Sequence, residues 1–262
     1  MFDYSSYLRL DMFPHIWCKG CGDGIVLKAL LRAIHRVGLP KDRVAMVSGI
    51  GCSSRLPGYV DCNTLHTTHG RPLAFATGLK LARPDLTVIV ITGDGDGLAI
   101  GGNHLIHAAR RNIDLTCLLF NNQIYGMTGG QVAPTTPEAL FSTTTPYGNI
   151  EPAFDPCRLV QAAGGTFVAR GTAYRTIPLE KLITEGIQHK GFTFIEILTT
   201  CPEIHGRRNK LGTPAEMLQA LGKSPLPTGV LHKSVRPEYG EAYEGVIARA
   251  QGRAGEGSAR CS

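Results

Sequence analysis

The chain has 262 residues, of which 43% are hydrophobic and 18% charged, with 27 Lys and Arg against 21 Asp and Glu for a net charge of +6. That apolar share excludes a disordered chain, the length suits one α/β domain with extensions, and the basic residues lack the aromatic interleaving of a nucleic-acid surface. No signal-peptide pattern or membrane-length apolar stretch appears at the start, so we expect a cytoplasmic chain whose eight cysteines serve metal binding in preference to disulfides.

Residues 1–17 read as a polar and aromatic arm leading into Trp17-Cys18-Lys19-Gly20-Cys21-Gly22, a tight Cys-x-x-Cys knuckle. The spacing of Ile25, Leu27, Ala29, Leu30 and Ile34 predicts an amphipathic helix over 24–37. A short strand, 44–47, delivers Gly49-Ile50-Gly51-Cys52-Ser53-Ser54, and His66-Thr67-Thr68-His69-Gly70-Arg71 precedes a helix over 72–82 whose proline pre-sets the first turn. Two continuous apolar runs, 86–92 and 115–120, read as strands buried on both faces, with a helix over 98–110 between them. Residues 131–156, rich in Thr and Pro without period, read as a long functional loop, and Cys157 opens a helix after it. A strand over 165–170, a helix over 179–189 and a strand over 192–198 follow, the last running into Cys201-Pro202. Past Lys210 the periodicity weakens, and Ser224-Pro225-Leu226-Pro227 marks a linker. The expected organisation is an arm over 1–17, an α/β domain over 18–210 with a mainly parallel sheet and helices on both faces, and an extension over 211–262.

The chemistry concentrates between Gly93 and Asn122. Gly93-Asp94-Gly95-Asp96-Gly97 follows one buried strand and Asn121-Asn122-Gln123-Ile124 follows the next, so a βαβ unit places both loops at the carboxyl edge where open α/β sheets bind ligands. A carboxylate from Asp94, an amide oxygen from Asn122 and the backbone carbonyl of Ile124 are hard oxygen donors suited to Mg²⁺ carrying a diphosphate. Gly93, Gly95 and Gly97 leave space for the phosphates, and Gly101-Gly102 lets them approach free amides at a helix start. There is no Gly-Lys-Ser/Thr phosphate loop, and the glycine spacing is not the dinucleotide fingerprint.

Among the cysteines, Cys18 and Cys21 form the knuckle, while Cys52 and Cys201 each follow a strand and emerge at the same edge. Four thiolates there suit a 4Fe-4S cluster or structural zinc. Cys62, in the loop Asp61-Cys62-Asn63, is a rival ligand; Cys117 reads as a core thiol, Cys157 as structural and Cys261 as a free thiol in the tail.

Gly93-Asp94-Gly95 followed by Asn121-Asn122 resembles the thiamine diphosphate motif. The wording Gly-Asp-Gly-Asp-Gly with Asn-Asn-Gln-Ile-Tyr-Gly-Met-Thr-Gly-Gly-Gln resembles the β subunits of 2-oxoacid:ferredoxin oxidoreductases, over about residues 14–210. The resemblance implies thiamine diphosphate, Mg²⁺ and a 4Fe-4S cluster on Cys18, Cys21, Cys52 and Cys201. It also implies cofactor contacts from Gly51, Cys52, Ser53, His69, Gly93, Asp94, Gly95, Asp96, Asn122, Ile124, Gly126, Met127 and Thr128. His69 is then a candidate for touching cofactor or substrate. Arg55, three residues past Cys52, is a candidate for gripping the distal carboxylate of 2-oxoglutarate, which pyruvate lacks.

The resemblance further implies oxidative decarboxylation of a 2-oxoacid with coenzyme A, electrons passing to ferredoxin. One α/β domain holds only one half of a thiamine diphosphate site, so an α (or α–γ) partner subunit is expected to supply the pyrimidine-binding half and the coenzyme A site. His205, Arg207, Arg208 and Lys210, following Cys201, are a candidate rim for acidic ferredoxin or for coenzyme A phosphates. Two rivals remain: a non-redox thiamine diphosphate decarboxylase half with a zinc knuckle, and a non-catalytic zinc-bound scaffold.

Overall fold

A computed structural model describes residues 2–252 of the chain, so the expected free thiol of Cys261 lies outside the described residues. The five strands expected from the apolar runs form one sheet together with two edge strands, Asn63–His66 and Gly229–Lys233, that the sequence did not announce. They are β1 (Val44–Ser48), β2 (Asn63–His66), β3 (Thr87–Gly93), β4 (Thr116–Asn121), β7 (Phe167–Thr172), β8 (Thr193–Leu198) and β9 (Gly229–Lys233), with a separate two-stranded ribbon of β5 (Ile124–Tyr125) and β6 (Gln131–Val132). The order across the main sheet is β2-β1-β3-β4-β8-β7-β9, parallel throughout except for β9, which runs antiparallel to β7.

Strand alternation divides the core into two layers. In β3, Ile89 and Ile91 face one layer and Val88 and Val90 the other; in β4, Leu118 and Phe120 oppose Cys117 and Leu119. The first layer is covered by α1 (Asp23–Val37) and α5 (Thr176–Gln188), which pack on each other. The second is covered by α2 (Pro72–Ala82), α3 (Gly102–Arg111) and α4 (Pro156–Ala162). Helices on both faces bury the central strands completely, which is why those strands read as unbroken apolar runs instead of alternating ones. Among the described residues no helix is long and apolar enough to cross a membrane.

Three differences from the sequence reading are informative. The helix expected from Leu98 begins at Gly102, because residues Gly95–Ile100 first make a wider π turn. The edge strand β2 carries mostly exposed side chains, so no apolar run announces it. Beyond Lys210, the weak periodicity hides α6 (Pro214–Leu221), capped by a Thr213–Glu216 box, then β9 on the sheet edge and α7 (Tyr239–Ala250). The C-terminal segment is thus joined to the sheet through β9 and, through Pro214, to Gly20 of the cysteine knuckle.

Candidate functional site

The loops after β1, β3, β4 and β8 meet at the carboxyl edge of the sheet. The first cleft there is lined by Ile50, Gly51, Cys52, Ser53, His69, Gly93 to Asp96, Phe120, Asn122, and Ile124 to Thr128. The sequence-predicted residues Asp94 and Asn122 therefore face one space, from loops a whole crossover apart.

Asp94 is 2% exposed. Its Oδ1 accepts the amide of Gly95 at 2.9 Å and its Oδ2 the hydroxyl of Thr135 at 2.5 Å. Burial pushes its carboxyl up to about 6 despite those donors, and it makes no ion pair among the described residues. A buried carboxylate that still has acceptor capacity and lacks a cation fits a bound divalent ion. Across the cleft, Asn122 Oδ1 accepts the amide of Ile124 at 3.2 Å, and Gln123 between them stands at φ +64°. A left-handed non-glycine residue in this turn is local strain of the kind that functional loops hold. Asn121, by contrast, turns inward to Glu196 at 2.7 Å.

Gly95 is required by a close approach: a Cβ there would lie 2.4 Å from the Tyr125 ring, whose hydroxyl donates to the Gly95 carbonyl at 2.8 Å. Gly101, expected to admit phosphate, instead makes room for the carbonyls of Asp96 and Gly70, which a Cβ would meet at 2.6 and 3.0 Å.

Asp96 lines this cleft, but its carboxylate is already committed. Oδ1 takes the amides of Ile50 and Gly70 at 3.1 and 2.7 Å and faces His69 Nδ1 at 2.6 Å, while Oδ2 takes the Thr92 hydroxyl at 2.6 Å. Four partners use up a carboxylate's lone-pair sites, so Asp96 is a strut that ties the loops after β1 and β2 to β3 and is not a free ligand. Its bond to Nδ1 orients the His69 ring and leaves Nε2 on the other side. His69 lines the cleft with its side chain 30% exposed.

A second cleft of about 270 Å³ adjoins the first and is lined by Ile16, Trp17, Cys18, Cys21, Cys52, Asn122, Gly126, Met127, Cys201 and Pro202 to Ile204. Trp17 Nε1 donates to the Cys52 carbonyl at 2.8 Å, fixing the arm against the loop after β1. Gly126 supplies the back wall; a Cβ there would stand 3.3 Å from Cys201 Sγ and 3.7 Å from Cys52 Sγ. Burial pushes the Cys21 thiol far up and the Cys52 thiol up to about 12; burial also raises Cys201, against the backbone amides of His205 and Ile204 aimed at its sulfur.

Among the described residues, the only trio of candidate ligand atoms within 4.8 Å of one another is Asp155, Cys157 and Glu196. The Asp155–Cys157–Glu196 trio is filled by the Arg170 guanidinium, at 2.6 Å from Glu196 and 2.7 Å from Asp155.

The other cysteines stand apart. Cys62 does not line the second cleft; its sulfur points to the Asn63 carbonyl and packs on the first core layer. Cys117 is buried in β4, and Cys157 lies buried at the start of α4. Arg55 is exposed on the 3-10 turn Ser53–Tyr59, outside the lining of both clefts, and its guanidinium has no partner among the described residues. Ser53 is buried and lines the first cleft, whereas Thr128 bonds to Gln131 at its rim. His205 is 3% exposed with its ring nitrogens unpaired, and burial holds its imidazole down at about 4, so it is not part of a surface rim.

Two residues escaped sequence reasoning. Thr135 reaches Asp94 from the unpatterned 131–156 loop, where no period marks it. Asp23, two residues past Cys21, is buried with Oδ2 unpaired, and burial pushes its carboxyl up to about 7; it reads in the sequence as an ordinary first-turn acid.

Comparison with known proteins agrees with this geometry. The C-terminal thiamine pyrophosphate-binding domain of thiamine pyrophosphate enzymes matches residues 49–197. The 2-oxoglutarate synthase subunit KorB of Methanothermobacter marburgensis is 56% identical over 223 residues, covering 85% of this chain and 78% of that one. The KorB subunit of Archaeoglobus fulgidus is 51% identical over 255 residues, covering 92% and 93%. The solved 2-oxoglutarate:ferredoxin oxidoreductase of Magnetococcus marinus, with 2-oxoglutarate, coenzyme A and succinyl-CoA bound, superposes with a TM-score of 0.87 at 35% identity, covering 97% of this chain and 92% of that chain.

Proposed function

This chain belongs to the β subunits of the thiamine pyrophosphate-dependent 2-oxoacid:ferredoxin oxidoreductases, and from that premise we propose that it serves the coenzyme A-dependent oxidative decarboxylation of 2-oxoglutarate to succinyl-CoA and CO₂. Electrons leave through a 4Fe-4S cluster to ferredoxin, and the reaction is reversible with a strong reductant. The observation that carries this reading is the shared wall: Cys52, Asn122, Gly126 and Met127 line both clefts, so a cofactor in one is a neighbour of a centre in the other.

When bound, thiamine diphosphate would supply an electron sink for loss of CO₂ and an iron-sulfur cluster would supply one-electron chemistry beside it. The chain's own residues supply the setting. Asp94, the Asn122 side chain and the Ile124 carbonyl are the ligands for Mg²⁺, with Thr135 holding Asp94 in place. Cys18, Cys21, Cys52 and Cys201 are the cluster ligands. Asp96 facing Nδ1 orients the His69 ring and leaves Nε2 free for a contact with cofactor or substrate. Arg55, unpaired beside the Cys52 loop, is the residue for the distal carboxylate.

The diphosphate cleft is half a site, and an α (or α–γ) subunit completes it with the pyrimidine-binding half and the coenzyme A site. The chain works in the cytoplasm, where its seven described cysteines, all unpaired, keep their thiols. A pyruvate or broad 2-oxoacid enzyme is the second reading, supported by the exposure of Arg55 outside both clefts. The test is the visible spectrum and thiamine content of the anaerobically purified complex: a brown protein that bleaches with dithionite and carries thiamine diphosphate is expected, and a colourless zinc protein would overturn the redox reading.

A further inference from the structure

Buried charge in the sheet leads to the cofactor turn. Strand alternation sends Asn121 of β4, Arg170 of β7 and Glu196 of β8 to the layer that holds Leu119, Val168 and Phe194 and that α4 covers. Arg170 and Glu196 are register partners, their side chains 2% and 1% exposed, and Arg170 Nε donates to Glu196 Oε2 at 2.6 Å. Arg170 also donates through Nη2 to Asp155, the residue that caps α4. Burying such ions costs several kcal/mol each, and a well-packed apolar pair of similar volume is often as stable, so stability alone is a weak reason for the pair.

Its other end supplies the reason. Glu196 Oε1 accepts Nδ2 of Asn121 at 2.7 Å, and Asn121 Oδ1 accepts the amide of Gln123 at 3.2 Å. A carboxylate only accepts, so Glu196 forces the Asn121 side chain to present its NH₂ group inward and its oxygen to Gln123. That oxygen holds the amide of the residue at φ +64°, after which the Asn122 and Ile124 groups fall into place. We propose that Arg170, Glu196 and Asn121 form a positioning relay that sets the 122–124 turn for the metal and diphosphate; this rests on the diphosphate reading of the first cleft.

The test exchanges the amide and the carboxylate. Asn121→Asp sets two carboxylates against each other, Glu196→Gln lets the Asn121 amide turn over, and the double variant restores one amide donating to one carboxylate. Binding of thiamine diphosphate with Mg²⁺ is measured by calorimetry on the complex with its partner subunit. Each single variant is expected to weaken binding about tenfold or more, the range for residues that orient metal ligands, and the double variant to recover most of that loss. Asp155→Asn, which removes the charge from the other arm of Arg170 while keeping an acceptor there, is expected to leave affinity unchanged and so controls for general loosening. Should Asn121→Asp fail to assemble, Glu196→Gln alone decides. Wild-type affinity in the single variants, no recovery in the double, or an equal loss in Asp155→Asn overturns the relay. A wild-type complex that takes up no cofactor overturns the functional reading, and the relay with it.

Discussion

Gly95→Ala tests how tightly the diphosphate loop is packed on the metal turn. The added methyl would lie 2.4 Å from Cε1 and Cζ of Tyr125 and 2.7 Å from Cε2, where carbon atoms rest at about 3.5–4.0 Å. The ring has to retreat by about 1 Å, which also breaks the 2.8 Å bond from its hydroxyl to the Gly95 carbonyl. Overpacking of this kind costs about 1–3 kcal/mol and a lost hydrogen bond about 1 kcal/mol, so the variant is expected to lose roughly 2–4 kcal/mol. Tyr125 lies between Ile124 and Gly126, so cofactor affinity should fall with stability. Denaturant midpoints of the purified chain measure the loss, and the same substitution in a Tyr125→Ala background, where the ring is gone, should cost under about 1 kcal/mol. Gly78→Ala, on the exposed side of α2 with no atom within 4 Å of the new methyl, should instead stabilise by about 0.5–1 kcal/mol. An equal cost of Gly95→Ala in both backgrounds, or none in either, would refute the steric account.

Without Mg²⁺, burial raises the Asp94 carboxyl from 3.8 to about 6, so its contribution to stability is complete below pH 3.8 and lost as pH rises through 6. That loss amounts to about 3 kcal/mol at 1.36 kcal/mol per pH unit. Asp94→Asn should flatten this part of the melting-temperature profile and abolish Mg²⁺-dependent cofactor uptake; an unchanged profile would sink the assignment. Cys52→Ser should bleach the iron-sulfur spectrum and Cys62→Ser should not, because only Cys52 of the two lines the second cleft; the reverse pattern rejects this ligand set. Arg55→Met should raise the KM for 2-oxoglutarate far more than for pyruvate, and equal effects discard Arg55 as the specificity residue. Arg207, paired with Glu203 at the cleft rim, and the exposed Arg208 are expected to guide an acidic ferredoxin. Neutralising both should slow ferredoxin reduction severalfold at low salt and flatten its salt dependence, measured by stopped flow; an unchanged salt dependence removes them from the docking surface.

The parallel α/β sheet and the placing of Asp94 and Asn122 on one edge were legible in the chain, because two unbroken apolar runs joined by a helix leave few topologies and period alone orders them. The pairing of Cys18 and Cys21 was legible from their spacing. That Cys52 and Cys201 emerge at the same edge was legible from their places after strands, but which cysteines line one cleft was decided by tertiary structure, which leaves Cys62 out of that lining and packs it on the first core layer. Asp96 stands in the sequence beside Asp94 as an expected cofactor contact; only the folded chain surrounds one with four partners and leaves the other without a cation. Thr135 and Glu196 carry no pattern either, for a hydroxyl in an irregular loop and an acid inside an apolar strand acquire roles only from what lies across from them. Local pattern thus determined the elements and the order of the loops, whereas which atoms face the cleft depended on contacts between residues far apart in sequence, which no periodicity encodes.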